Sequence, residues 1–412
     1  MAITSGITTI NTIGRQDIQA LLKAKVSELN AQPEFQWADD WNSFARDEDG
    51  SAAVRVAIAN GSLEFDIWAN LRNPATIGQH PVDTEQLWDF YCASRRKGVD
   101  ELGRGTIIKI SPPFSDALER FQRVVYISVL LPVNPEVFAE YNEHVKSRSM
   151  APWDRYSKTW NEIGQLLDRA VTRVAYGLMT EKRAVLVMNE GTVARISSEA
   201  VPLTRQGDSH GPCKGGHYPQ KSIAVLTGLA QFGVSRLVFR DEIASDGNVR
   251  RFIGALRSVI VFDPEAPVED GSDGVLLLDD AWHDRVRRLS DLTNADPRVT
   301  RYRFCTYHGD SEVKGCGKCI AYCPAGALAN SSPVKDGSYA PGVAAQTHRF
   351  HKGALQFDFG RCCDERGQLA ELYDEWMCGR CLAICGGEGN RSRFAAKNYE
   401  AYVSGRTTEP YG

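Results

Sequence analysis

Two stretches decide how this chain is read: Cys316-Gly-Lys-Cys319-Ile-Ala-Tyr-Cys323-Pro324 and Cys378-Gly-Arg-Cys381-Leu-Ala-Ile-Cys385. Both have the spacing C-x2-C-x3-C, and the first ends in Cys-Pro. Cys305 precedes the first run at a distance, and the adjacent pair Cys362 and Cys363 precedes the second. Of the 11 cysteines in 412 residues, only Cys92 and Cys213 fall outside the segment from Cys305 to Cys385. A disulfide framework needs an oxidising compartment and usually an export signal. The first thirty residues have no apolar core, twin-arginine pair or small-residue cleavage site, so the chain is expected in the cytoplasm and its clustered thiols point to metal.

The spacing is the ferredoxin pattern, in which thiolates hold iron–sulfur clusters and the last cysteine of each run serves the other cluster. Two cysteines separated by two residues in a tight turn reach neighbouring irons of one cube, and the third sits a helical turn later, facing the second cube. Crossing the ligands assigns Cys305, Cys316, Cys319 and Cys385 to one 4Fe-4S cluster. The other takes Cys378, Cys381, Cys323 and either Cys362 or Cys363. C-x2-C pairs also build structural zinc sites. The third cysteine, the Cys-Pro ending and the duplication favour clusters. The outer ligands fit less closely, because ten residues separate Cys305 from Cys316, and His308 lies between them.

Working outward, the length suits two or three domains, and 42% hydrophobic with 24% charged residues is ordinary for a globular protein. No run approaches the roughly 18 apolar residues of a membrane span, so no membrane is expected as partner. The pattern predicts helices over 18–29 and 85–92 and a strand over 62–68. The apolar run 124–131, ended by Pro132, reads as a buried strand. Trp160, Ile163, Leu166, Leu167, Ala170, Val171 and Val174 fall on one helical face. Further strands are expected at 184–188, 236–239 and 258–262, with a helix at 223–229 and an acidic surface connection at 263–274. The fold class is mixed α/β (α+β). The boundaries are 1–115, of open role; 116–295, the core; 296–390, the cysteine region; and 391–412, a polar tail. With no G-x-G-x-x-G at a strand-to-helix junction and no P-loop, neither a Rossmann dinucleotide nor ATP is indicated.

Three stretches taken in order resemble the cobalamin-dependent iron–sulfur reductases, the superfamily of reductive dehalogenases and epoxyqueuosine reductases. His217-Tyr-Pro-Gln-Lys221-Ser-Ile-Ala-Val-Leu-Thr-Gly228-Leu229-Ala-Gln-Phe-Gly233 is similar to their glycine-bearing helix entry. Asn248-Val-Arg-Arg251-Phe-Ile-Gly-Ala-Leu-Arg-Ser-Val-Ile-Val261 is similar to the segment that follows, and the two cysteine runs come next. The resemblance covers roughly residues 124–385. In this chain Thr227 and Ala230 flank Gly228-Leu229 where the family has alanine and glycine, and Val261-Phe-Asp263-Pro-Glu replaces the family's closing motif. The chain is thus read as a divergent member.

The resemblance implies a nitroreductase-like core holding cobalamin without a protein ligand to cobalt (a base-off corrinoid), followed by a ferredoxin-like domain with two 4Fe-4S clusters. The corrinoid-enzyme motif D-x-H-x-x-G is not completed, since Asp208-Ser-His210-Gly-Pro-Cys213 has Cys in place of the glycine. The resemblance also implies a proton donor in Trp153-Asp154-Arg-Tyr156-Ser-Lys-Thr-Trp160, with Tyr156 favoured and Asp154 second, and Lys221 as the cation beside it. A phenol of pKa near 10 donates poorly without such a cation. The plain alternatives are a packed aromatic for Tyr156, a helix cap for Asp154 and a solvated loop charge for Lys221. Gly215, Gly216, Gly228 and Gly233 either admit a large flat cofactor or only make turns, and Arg251 either touches the corrin or caps a strand.

The implied activity is reductive dehalogenase-like reduction of a small organic substrate, fed by a ferredoxin or flavodoxin-type donor. An epoxyqueuosine-type reductase acting on tRNA needs a basic surface. The net charge of −4, with short basic clusters only (Arg95-Arg96-Lys97; Arg285, Arg287, Arg288), argues against nucleic acid. A third reading is an electron-transfer protein that reduces a partner's corrinoid or flavin.

Overall fold

The structure is a computed structural model. It describes residues 10, 13–35, 42–62, 94–97, 106–109, 121–146, 154–178, 183–188, 223–224, 227–232, 238–243, 249–265, 275–278, 323, 328–329, 356–357 and 378–387.

The architecture is α+β. Five strands form one sheet in the order β10-β1-β4-β9-β5: β1 (Arg55–Ser62), β4 (Arg123–Pro132), β5 (Ala184–Met188), β9 (Gly254–Asp263) and β10 (Val275–Leu278). The β1, β4, β9 and β5 neighbours run antiparallel, and β10 joins β1 in parallel. β4 and β9 pair over their whole length, from Arg123 opposite Asp263 to Pro132 opposite Gly254. All ten residues of β4 are buried, which is why its sequence is a near-continuous apolar run and not an alternation. At one end of the pair, Arg123 Nη2 and Arg183 Nε donate to Asp263 Oδ2 at 2.9 and 2.8 Å.

Helix α1 (Arg15–Asn30) buries Ile18, Leu22, Val26 and Leu29, one face at helical spacing. A short 3-10 turn, Pro33–Phe35, follows it. The long helix α3 (Asp154–Leu178) buries Ile163, Leu166, Leu167, Ala170, Val171, Val174 and Leu178. Both helices join one core with Val125, Ile127, Val129 and Leu131 of β4 and Val259 and Val261 of β9. Burying side chains of this kind is worth roughly 1.5–3 kcal/mol each, so this layer is the main source of stability. Arg257 of β9, itself buried, is ion-paired with Asp168 of α3 and ties helix to sheet.

Between β4 and α3 lies α2 (Pro135–Lys146), which the sequence reading did not anticipate. Its start is legible in hindsight. Asn134 Oδ1 accepts the Glu136 N–H at 3.1 Å, and Pro135 occupies the first helical position, where no N–H is needed.

The strand expected at 62–68 meets the structure only at Ser62, because β1 runs from Arg55; residues 63–68 lie outside the described residues, as does the helix expected at 85–92. The strand expected at 236–239 is β7 (Val238–Ile243). It pairs with β6 (Gln231–Phe232) and β8 (Val249–Phe252) in a three-stranded sheet. Arg55 of β1 donates to Glu242 of β7 at 2.9 Å and to Asp47 at 2.9 Å, joining the two sheets. Arg95-Arg96-Lys97 lie on β2 (Ser94–Lys97), paired with β3 (Thr106–Lys109). A last pair, β11 (Leu328–Ala329) and β12 (Gln356–Phe357), falls within the cysteine region. Among the described residues no helix is long and apolar enough to cross a membrane.

Candidate functional site

The second cysteine run is built into the core just described. Its last six residues open helix α4 (Arg380–Gly387), with Ala383 and Ile384 buried in the same apolar cluster as α1, α3 and the sheet. Leu382 and Cys385 pack against that cluster, and α4 lies along α2. The residues between cysteines in Cys378-Gly-Arg-Cys381-Leu-Ala-Ile-Cys385 therefore do separate work. Gly379 makes the turn, and Ala383 and Ile384 hold the helix down.

The turn is held from the core side by two tyrosines. Tyr141 of α2 donates its hydroxyl to the Cys378 carbonyl oxygen at 2.6 Å. Tyr156 of α3 donates to the Gly379 carbonyl oxygen at 3.2 Å, and that same oxygen accepts the Ala383 N–H at 2.9 Å, opening α4. The two phenol rings stack, with centroids 4.2 Å apart and planes 20° off parallel. Trp160 meets Tyr156 edge-on at 6.2 Å. Burial pushes the Tyr156 phenol well above its ordinary pKa, with Tyr141 and the nearby Cys381 adding to the rise. Burial, then the charge of Cys378, raises Tyr141 as well. Both phenols are neutral donors throughout the physiological range.

Gly379 is the third part of this grip. Its φ is +59°, in the left-handed region where an L side chain is strained, and a Cβ built on it would overlap the Tyr156 ring at Cε1, Cζ and Oη. Only a glycine lets the turn adopt this conformation against that ring.

At the other end of α4, Arg251 of β8 donates from Nη1 to Cys385 Sγ at 3.4 Å. Its guanidinium lies 3.9 Å above the Phe239 ring centroid of β7 and is nearly buried. A cation over the face of an aromatic ring is favoured, which helps hold the guanidinium in place.

Of the expected site residues, the structure brings Tyr156, Cys378, Cys381, Cys385 and Arg251 around this one helix. Cys323, Cys378, Cys381 and Cys385 are half-buried and are not joined in disulfides. Among the described residues no three of His, Cys, Asp and Glu converge closely enough to hold a metal ion. Cys305, Cys316, Cys319 and Cys362 lie outside the described residues, as do Lys221, Gly215, Gly216 and Gly233. The donor chemistry fits a thiolate-ligated cluster: reduced cysteines at the start of a helix, with one sulfur already accepting a guanidinium N–H.

Asp154 is the first residue of α3. Thr227 is buried, and its hydroxyl donates back to the Ile223 and Ala224 carbonyls at 2.9 and 3.1 Å, so its polar atom is satisfied within its own turn. Gly228 follows with φ +73° and nothing within 4 Å of a built Cβ, so its glycine character is a matter of backbone conformation. Tyr141, the partner of Cys378, was missed because its helix was missed. Gly379 was visible only as the small residue inside a C-x2-C turn.

No family model, curated protein or solved structure matches the chain.

Proposed function

We propose that the chain is a cobalamin-dependent reductase in which two 4Fe-4S clusters deliver electrons to a corrinoid held by a nitroreductase-like core, reducing a small organic substrate as reductive dehalogenases do. The observation that supports this best is the seating of the second cysteine run. Tyr141 and Tyr156 hold its first turn, Ala383 and Ile384 anchor its helix, and Arg251 reaches its last sulfur. Electron transfer into a core needs ligand-bearing elements fixed against that core, and this arrangement fixes them at both ends. When bound, the clusters supply single electrons at low potential and the corrinoid supplies the cobalt centre at which substrate is reduced.

The chain's own residues would divide the remaining tasks. The cysteines hold the clusters, with Cys378, Cys381, Cys323 and Cys362 around one and Cys305, Cys316, Cys319 and Cys385 around the other. Gly215, Gly216, Gly228 and Gly233 belong to the proposed corrinoid side, Tyr156, Lys221 and Asp154 to proton delivery, and Arg251, which the resemblance gives to the corrinoid, reaches Cys385 instead. For Tyr156 to protonate a substrate, its hydroxyl must leave the Gly379 carbonyl, and burial makes it a weak acid while it stays. Tyr156→Phe separates its two roles: a donor role predicts loss of turnover with clusters retained, whereas full turnover removes the assignment.

The test of the reading is anaerobic reconstitution with iron, sulfide and hydroxocobalamin, followed by reduction with a ferredoxin or flavodoxin-type donor. Stoichiometric corrinoid retained on the chain and reduced through the clusters is the expected result. Iron and sulfide without corrinoid would leave an electron-transfer protein serving a partner's corrinoid or flavin.

A further inference from the structure

Arg251 gives an N–H to a cysteine sulfur of the second run, and regular elements carry both partners. The guanidinium carbon lies over the Phe239 ring, 3.9 Å from its centroid, and Nη1 is 3.4 Å from Cys385 Sγ. Its backbone sits in β8, where Arg251 is paired with Asp241 of β7, so the arm that carries the charge is part of a sheet and not of a loop. Cys385 in turn lies in α4, whose Ala383 and Ile384 are buried. Donor and acceptor are therefore both carried on regular elements packed into one core.

We infer that Arg251 is a positioning residue that sets the reduction potential of whichever cluster Cys385 ligates, by holding a charged N–H against that ligand sulfur. This deepens the iron–sulfur reading and rests on it. A cluster gains one electron and one negative charge on reduction, the electron coming from the ferredoxin or flavodoxin-type donor; no bond or proton passes to Arg251. Added negative charge spreads onto the ligand sulfurs, so a guanidinium N–H at one of them stabilises the reduced form more than the oxidised form and raises the potential. Crossed ligation makes the effect selective. Only the cluster holding Cys385 is raised, which biases the order in which the two clusters fill.

The experiment is an EPR-monitored redox titration of the reconstituted full chain, wild type against Arg251→Met, with iron and sulfide measured on both. Met keeps an unbranched apolar stem but gives no N–H. The expected result is a potential lowered at one cluster and unchanged at the other. The shift corresponds to about a tenfold smaller reduced fraction at fixed potential, or about 59 mV for a one-electron couple. Two unchanged potentials with full iron content overturn the inference. Should Arg251→Met not fold, Phe239→Leu decides: it keeps the guanidinium and removes the ring that holds it. A smaller lowering at the same cluster supports the role, and wild-type potentials overturn it. A wild-type chain that takes up no iron and sulfide overturns the iron–sulfur reading itself, and this role with it.

Discussion

Replacing Gly379 by alanine tests how tightly the cysteine turn is bound to the core. The backbone there has φ +59°, and holding an L residue in that region costs roughly 1–2 kcal/mol. The new methyl would also occupy the space of the Tyr156 ring, which is fully buried between Tyr141, Phe138 and Trp160 and has little room to move. Forcing such an overlap costs roughly 1–3 kcal/mol, and losing the Tyr156 hydrogen bond to Gly379 adds about 1 kcal/mol. The sum, roughly 3–6 kcal/mol, is comparable with the roughly 2–4 kcal/mol that burial of Ala383 and Ile384 provides, so the helix should open locally more readily than the sheet unfolds. Gly228→Ala is the control, since its φ is +73° with nothing within 4 Å of the built Cβ; it should cost only the backbone part, about 1–2 kcal/mol. Hydrogen exchange over Arg380–Gly387 and urea denaturation measure both variants. In a Tyr156→Leu background the extra cost of Gly379→Ala should shrink toward the backbone part. A Gly379→Ala cost no larger than that of Gly228→Ala, with unchanged exchange in α4, refutes the ring-against-turn argument.

Three further outcomes follow from the same geometry. Tyr141→Phe removes the hydroxyl that serves the Cys378 carbonyl and should loosen α4 by about 1 kcal/mol, read as faster exchange in that helix. At high pH the tyrosine pair works against the fold. Both folded phenols lie above the ordinary value near 10, so the unfolded chain ionises first; stability is flat below about pH 10 and falls as pH rises beyond it, less steeply in Tyr141→Phe. In acid the sign is the reverse at Asp263. Burial alone would raise it, but the Glu265 N–H and then Arg123 and Arg183 outweigh burial and hold it below the usual range. Its contribution is therefore whole above the unfolded value near 3.9 and lost as pH falls through the lower folded value. Asp263→Asn should be less stable than wild type by roughly 3–5 kcal/mol at pH 7, a gap that closes in acid urea titrations.

Much of the central layer was legible in the residues because burial there is extreme. The run 124–131 and the face from Trp160 to Val174 name β4 and α3 almost to their ends. β1 was missed for a physical reason. Arg55-Val-Ala-Ile-Ala-Asn-Gly-Ser carries alanines, an asparagine and a glycine, poor strand formers, and it is a strand because β4 and β10 pair with both its edges. β1, from the segment whose role the sequence left open, thus joins the sheet of β4, β5 and β9, and α1 joins their core. The cysteine spacing gives the expectation of thiolate ligation and sets the last cysteine of each run on a helical turn, which α4 supplies for Cys385. What the spacing did not contain was the partner side. Tyr141, Phe239 and Arg251 are separated from Cys378 and Cys385 by more than a hundred residues, and only the fold joins them.

The central claim is that the two cysteine runs hold two clusters that feed a corrinoid on the same chain, and metal analysis of the anaerobically reconstituted protein tests it most directly. The account predicts about eight iron and eight sulfide per chain, with about one cobalt retained after gel filtration. Stoichiometric zinc with no sulfide would contradict it.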